Sequence, residues 1–292
     1  MHLVIPHASA TGEDCAQALA GLKLPHLSAL LGRMRASQPL GSDEWSPDTP
    51  AEQALAALRG EAPATAAWLA AEQGLDATLP WALLTPLHLS VSTDGVRAYG
   101  PESLALSDAE SRACFDALGE LWPAAEGWQS AWVRADQWLL SHASLQGLHS
   151  ASLDRIVQRN IEPWLPESRR LRALQNEVQM LLHRHPVNEG RGLELNSVWI
   201  SGCGSSSRAL PASVRVDARL REPLLTGDWP AWMAAWAALD AELPALAPTQ
   251  ITLCGERFAT AFASAPPAGL LKRLWQQLTP PRIDTTALLK DL

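Results

Sequence analysis

The sequence lacks any uninterrupted apolar run that approaches the roughly 20 residues a helix needs to cross a bilayer. Even its alanine-rich stretch at residues 66–71 is soon followed by charged residues. The first six residues, MHLVIP, lack the basic and long apolar regions of a signal peptide, and their pattern predicts a first strand. We therefore expect a cytoplasmic protein that neither spans nor binds a membrane.

The sequence is also poor in cysteine, since it has four that lie far apart and form no Cys-x-x-Cys pair. This spacing indicates neither a zinc site nor a disulfide framework, and reduced thiols fit a cytoplasmic protein. Positive charge is scarce as well, because 23 basic residues face 31 acidic ones for a formal net charge of −8. Such a molecule repels nucleic acid and anionic lipid, so we expect neither as a partner, and an acidic ligand has to be held by a local patch.

What the sequence does contain predicts a mixed sheet. Apolar residues make up 47% of its 292 positions, enough for a sizeable core. Residues 87–92 alternate between apolar and polar side chains up to the pair Asp94-Gly95, which is typical of a β-hairpin. A second antiparallel pair is predicted at residues 128–133 and 138–141.

Helices are predicted between these strands, and one is marked by the capping-box residues Ser107 and Glu110. The predicted helices span residues 13–20, 27–34, 51–58, 64–73, 107–120, 152–159, 168–183, 229–242 and 267–278. Further strands are predicted at 197–201 and 250–254. This alternation indicates an α/β fold whose mixed sheet, with antiparallel hairpins, is flanked by helices. We expect a single domain over residues 1–292, with a surface loop at residues 37–50.

The most informative segment begins with the helix predicted at residues 168–183. One face of this helix carries leucine and valine at helical spacing. Its second face carries long polar side chains: Arg172, Gln175, Asn176, Gln179 and His183. Two interpretations are open, a polar face covered by neighbouring loops and a hydrogen-bonding wall of a ligand pocket that includes Asn176 and Gln179.

Pro186 ends this helix and turns the chain, because a residue before proline is biased away from helical backbone. The turn gathers donors, acceptors and one permanent charge at one corner: His183, His185, Asn188, Arg191 and Asn196. Such a set suits a phosphate or carboxylate, which arginine binds through two parallel hydrogen bonds. The two histidines are alternatively metal ligands, but no neighbouring cluster supplies the further ligands that zinc needs.

Gly202-Cys203-Gly204 follows a predicted strand, and its glycine-flanked amides suit an anion-binding nest. It matches neither a phosphate-binding loop nor a nucleophile elbow. Cys203 is either a nucleophile, which needs a neighbouring histidine or arginine, or a small buried thiol in a tight turn.

Tryptophan is abundant, with 13 residues, and Trp229, Trp232 and Trp236 recur on one predicted helix face. Packing in the core explains this pattern, because each ring buries a large area. The alternative is a surface at Trp229–Trp236 for a protein partner or for self-association.

A set of short blocks is distributed over the middle of the chain: LTPLHL at 84–89, AESR at 109–112, ASLDR at 151–155, PWLP at 163–166, LQNEVQMLL at 174–182, HPVN at 185–188 and NSVWISGCG at 196–204. As a set, they resemble bacterial phosphoglycerate mutase-like, or RpfE-type, regulatory proteins. Residues 185–204 also resemble a segment of archaeal-type cofactor-independent phosphoglycerate mutases, which belong to the alkaline phosphatase superfamily. This chain is shorter between Arg191 and Asn196 than the usual pattern.

The second resemblance implies a reduced alkaline-phosphatase-like fold. Catalysis in that superfamily implies two metal ions held by Asp and His residues, with a Ser or Thr nucleophile. Here the first strand leads into Pro6-His7-Ala8 instead of Asp-Gly, and the chain contains no Asp-His or Asp-x-His pair. The resemblance therefore implies ancestry with a retained ligand corner, and it argues against mutase activity.

The sequence thus favours a non-catalytic, cytoplasmic regulatory or anion-binding protein without metal or cofactor, whose ligand is a small phosphorylated or carboxylate compound. The alternative is a phosphomutase or phosphohydrolase with a rebuilt site, which would be a mutase-like isomerase or a phosphatase. The expected ligand-binding residues are Asn176, Gln179, His183, His185, Asn188, Arg191 and Asn196.

Overall fold

The computed structural model describes residues 1–264 and 283–292. The chain divides into two compact units, of which unit 1 comprises residues 1–59 and 210–292 and unit 2 comprises residues 60–209. Unit 2 is thus inserted between the two halves of unit 1, whereas the sequence analysis expected one domain. A unit built from two distant halves leaves no pattern along the chain, because its halves meet only in three dimensions.

The described residues form strands at the following positions: β1 His2–Ile5, β2 Met34–Ala36, β3 Leu40–Gly41, β4 Trp81–Ser92, β5 Gly95–Tyr99, β6 Gln129–Arg134, β7 Gln137–Ser141, β8 Ser197–Gly204, β9 Val214–Val216, β10 Gln250–Cys254 and β11 Phe258–Ser264. Within residues 37–50 the backbone forms only β3 and turns before the next helix begins at Pro50.

The α-helices of the described residues are α1 Glu13–Gly21, α2 Pro25–Leu31, α3 Pro50–Arg59, α4 Thr65–Glu72, α5 Pro101–Leu104, α6 Asp108–Ala117, α7 Leu153–Ile156, α8 Arg169–Leu182, α9 Arg221–Thr226, α10 Trp229–Leu246 and α11 Thr285–Lys290. None of them, within these described ranges, combines the length and apolarity that a membrane-spanning helix requires. The helix predicted at 152–159 is only the single turn α7, and the one predicted at 267–278 lies outside the described residues.

Unit 1 contains a mixed sheet in the order β2-β11-β10-β1-β9, with β3 beside β11. Strand β1 pairs in parallel with β10 and with β9, whereas β11 pairs antiparallel with β10. All four residues of β1 are buried, as expected for a central strand that is covered on both faces. This sheet confirms the α/β class and the mixed strand pairing.

Two tryptophans of α10 fix the loop that follows β1. Trp232 and Trp236 are completely buried in the core of unit 1. Their indole N–H groups donate to the carbonyl oxygens of His7 (3.1 Å) and Ala8 (3.2 Å). This burial favours core packing over a partner surface at these two rings.

Unit 2 contains an antiparallel sheet in the order β5-β4-β7-β6, with β8 also paired to β4. The predicted hairpin is confirmed, since β4 and β5 pair up to Ser92 and Gly95. Helix α8 packs its apolar stripe against the sheet, with Leu171, Val178 and Leu182 buried in the main core of this unit. The helix predicted at 168–183 is thereby confirmed to within one residue at each end.

Candidate functional site

Asn188 holds the turn between α8 and β8. Its Nδ2 donates to the carbonyl oxygens of Leu182 (3.0 Å) and Leu195 (2.9 Å), and its Oδ1 accepts from the N–H of Leu195 (2.8 Å). Both amide protons and one oxygen lone pair are therefore used. This side chain joins the last turn of α8 to the chain that enters β8, and it offers no free donor to a ligand.

Arg191 and His185 are likewise engaged by the fold. The Arg191 guanidinium donates to Glu110 Oε1 at 2.8 Å and to the carbonyl oxygen of Leu104, so it spans two helices and is only 17% exposed. His185 Nδ1 accepts from the N–H of Val187 at 3.2 Å and caps a short 3-10 turn. The polar atoms of Arg191 and His185 that were expected to face an anion therefore bond to main-chain groups and to the partly exposed carboxylate of Glu110.

The side chains on the polar face of α8 differ in how deeply they are buried. Gln175 is buried and its Nε2 donates to the carbonyl oxygen of Val198 (3.3 Å). Gln179 is half-buried and its Nε2 donates to Ser197 Oγ (3.2 Å). Asn176, on the same helix, is exposed, and its side chain makes no hydrogen bond within the described parts of the chain. Strand β8, and not a loop, covers one side of this face, while the other side lines a groove, so the ligand-pocket interpretation stays a prediction.

Asn196 closes the ladder between β8 and β4. Its Oδ1 accepts from the N–H of Leu89 (2.7 Å) and its Nδ2 donates to the carbonyl oxygen of the same residue (2.9 Å). The Asn196 side-chain amide thus makes the two hydrogen bonds to Leu89 that a further residue of β8 would make if the strand continued. Asn196 lies at the floor of the groove described next.

An open groove of about 1110 Å³ lies between α8, the distal half of the β4–β5 hairpin and the segment that follows Ile161. We call it the α8 groove; it is lined by Leu89, Val91, Val96, Ile161, Leu165, Asn176, Gln179, Met180, Leu181, His183, Arg184 and Asn196. It brings together four of the seven predicted ligand residues: Asn176, Gln179, His183 and Asn196. The other three, His185, Asn188 and Arg191, do not line it.

The α8 groove exposes large apolar side chains to solvent. Val91 is 80% exposed, Met180 75% and Leu165 46%. They are the exposed large hydrophobic residues of unit 2, all of which the structure describes, and all three line this groove. A contiguous exposed apolar surface with a polar rim is typical of an interaction site.

The sequence analysis missed Met180, Arg184 and the two apolar residues of the opposite wall. One signal was present, because Met180 follows Asn176 by four residues and therefore lies on the polar face instead of the buried stripe. This placement predicts that Met180 is exposed to solvent. The opposite wall could not be predicted, because Val91 is far from α8 in sequence and Leu165 lies in an irregular segment before the helix, where helical spacing does not apply.

The Gly202-Cys203-Gly204 segment is part of strand β8 and not an anion-binding loop. A side chain at Gly202 would meet the hydroxyl of Thr65 and lie 3.0 Å from the N–H of Ala66, so glycine permits the close approach of α4. Burial raises the pKa of the Cys203 thiol to about 12. The buried-thiol alternative is therefore favoured, because the nucleophile is the thiolate.

The metal ions implied by the superfamily resemblance do not fit the described residues. The strand β1 ends in a loop whose His7 and Ala8 carbonyl groups accept from tryptophan side chains. Within residues 1–264 and 283–292, no group of three or more His, Cys, Asp or Glu side chains is arranged to hold a metal ion.

The sequence matches no protein-family model, and no curated protein matches it. Among solved structures, it is similar to the cofactor-independent phosphoglycerate mutase from Thermoplasma acidophilum DSM 1728. The identity is 13% over 91% of this chain and 90% of that chain, with a TM-score of 0.35.

Proposed function

We propose that this is a non-catalytic binding protein with a regulatory role, whose ligand lies in the α8 groove and combines an apolar body with an anionic group. The observation that carries the proposal is the meeting of Val91, Leu165 and Met180 around one exposed concave surface. Covering these side chains removes apolar surface from water, which stabilises a complex by about 25 cal/mol per Å² before the costs of association.

The charge of the groove supports an anionic group on the ligand. Arg184 supplies a permanent positive charge, His183 lies one residue before it, and the described residues that line the groove include no carboxylate. The whole chain carries a formal net charge of −8, so a positively charged groove is opposite in sign to the molecule as a whole. Arg184 takes the role that the sequence analysis assigned to Arg191, which is held by Glu110.

The state of the thiols argues against covalent catalysis by cysteine. Burial raises the pKa of Cys114 and of Cys203 to about 12, and it also raises the pKa of Cys15 and Cys254. At neutral pH all four are protonated and poor nucleophiles. The competing proposal, a phosphomutase or phosphohydrolase, is tested directly by incubation with 3-phosphoglycerate in manganese or zinc buffer. Turnover by the purified protein would overturn the non-catalytic part of the proposal.

The binding part is tested with 8-anilinonaphthalene-1-sulfonate, a dye that has an apolar body and one anionic group and becomes fluorescent on apolar surfaces. We expect saturable binding to the folded protein with one main site. Met180→Glu places a carboxylate among the apolar contacts and should weaken dye binding at least tenfold. Arg184→Gln removes only the charge and should weaken it less, about threefold to tenfold.

The matched control is Val216→Glu, which places the same charge on an exposed apolar residue of unit 1. This variant should bind the dye like the original protein. Equal loss in Met180→Glu and Val216→Glu would show nonspecific binding, and unchanged binding in Met180→Glu would show that the groove is not the site. Either result refutes the proposal.

A further inference from the structure

We infer that the occupant of the α8 groove is an extended polypeptide segment of a partner protein, which adds as a short strand beside β4, antiparallel to it, with a carboxylate near Arg184. This inference rests on the proposed function and names the class of its ligand. Three observations support it: the register of β4 and β8, the turn of the chain away from β4 before β8 begins, and the charge and size of the groove.

One edge of β4 is paired with β8 along only part of its length. Strand β8 pairs with β4 only as far as Ser197 and Leu87, and the Asn196 side chain then satisfies both main-chain groups of Leu89. Before Asn196 the chain turns away, because the N–H of Leu195 donates to Asn188. The strand position in line with β8, beside the distal half of β4, is therefore not filled by β8.

Within residues 1–264 and 283–292, no strand pairs with Val91 on the side of β4 that faces β8. Pairs in an antiparallel ladder alternate between hydrogen-bonded and non-hydrogen-bonded types, and Ser92 and Gly95 close the two-residue hairpin loop as a bonded pair. Val91 and Leu89 therefore both direct their N–H and C=O groups away from β5. Asn196 covers those of Leu89, and Val91, two residues further, offers the same two groups to an added strand.

The side chains that line the groove suit a polypeptide strand. Asn176 and Gln179 bring side-chain amides to the helix side of the groove, and Asn196 already shows how such an amide pairs with a main chain. The volume of about 1110 Å³ exceeds the roughly 300–1000 Å³ typical of small-molecule pockets. Apolar side chains that alternate along a strand fit between Val91 and Met180. A carboxylate is complementary to Arg184, the cation in the lining.

The experiment uses the full chain and a synthetic probe, an acetylated heptapeptide of alternating serine and valine that ends in glutamate. We expect it to displace the bound dye and to slow hydrogen exchange of the Val91 amide at least tenfold at saturation. A peptide with the same side chains but N-methylated valines cannot donate to the strand and should bind at least tenfold more weakly. Replacing the terminal glutamate by lysine should weaken binding about threefold to tenfold.

The outcomes separate the inference from the proposed function. If the dye binds in a Met180-dependent way but the heptapeptide neither displaces it nor protects Val91, the inference is wrong and the proposed function stands. Equal binding of the N-methylated peptide, or stronger binding of a helix-forming peptide with the same residues, also overturns strand addition. If neither dye nor peptide binds, both proposals fall. Val216→Glu again serves as the control and should bind the peptide normally.

Discussion

Replacing Asn188 by alanine tests whether this side chain serves the fold or a ligand. The substitution removes three hydrogen bonds, to Leu182 O, Leu195 O and Leu195 N, at 2.8–3.0 Å. A hydrogen bond contributes about 0.5–1.5 kcal/mol net, and buried groups left without a partner add to the loss. Because Asn188 is half-buried, water recovers part of it. We expect the free energy of unfolding to fall by about 2–3 kcal/mol.

The assay is urea unfolding followed by fluorescence and circular dichroism, with dye binding measured on the same samples. Asn188→Asp keeps an acceptor for Leu195 N–H but turns a second oxygen toward two carbonyl groups, so it should destabilise at least as much as alanine. Asn176→Ala is the control, because this exposed residue should change stability by less than about 0.5 kcal/mol. If Asn188→Ala unfolds like the original protein but loses dye binding, the structural role is refuted.

Three further predictions concern single side chains. Ser107→Ala removes the N-cap of α6 and should lower the free energy of unfolding by about 1 kcal/mol. The Ser107 hydrogen bonds also lower the pKa of Glu110, so the stabilisation they give is present above the unfolded-state pKa and is lost as pH falls through the lower folded-state pKa. The urea midpoint of the variant should therefore fall less steeply with acid than that of the original protein. Trp236→Phe loses the bond to Ala8 O at 3.2 Å and part of a buried ring, and thermal unfolding should show a loss of about 1–3 kcal/mol. Burial raises the pKa of Cys203 to about 12, so iodoacetamide at pH 8 should label it at least tenfold more slowly than a cysteine peptide, and an equal rate would contradict the burial.

The features that the sequence predicted correctly depend on residues close together in the chain. The hairpin at Asp94-Gly95 needs only two residues that tolerate left-handed backbone between alternating strands. The capping box needs Ser107 and Glu110, three residues apart. Helix α8 follows from its own apolar spacing and from Ser168, whose hydroxyl accepts from the N–H of Leu171.

Other features of the fold depend on distant segments and could not be predicted from the sequence. The insertion of unit 2 into unit 1 is a property of which strands meet, and β1 pairs with β10 across 248 positions of sequence between His2 and Gln250. The predicted ligand corner stays a prediction, but the ion pair formed by Arg191 could not be foreseen for a related reason. Arg191 reaches Glu110, a residue 81 positions earlier, and a carboxylate partner at that distance cannot be recognised from the residues around Arg191.

The division of α8 between fold and groove follows from helix geometry. With 3.6 residues per turn, each residue of α8 rotates by about 100°, so relative to Gln175 the positions of Gln179, Asn176 and Met180 lie at about 40°, 100° and 140°. Exposure increases in the same order, from buried Gln175 through half-buried Gln179 to exposed Asn176 and to Met180 at 75%. The angular position of each polar side chain around α8 therefore determines whether it contacts the sheet or the groove. Those within about 40° bond to β8, and those beyond it have no sheet to contact and form the helix wall of the groove.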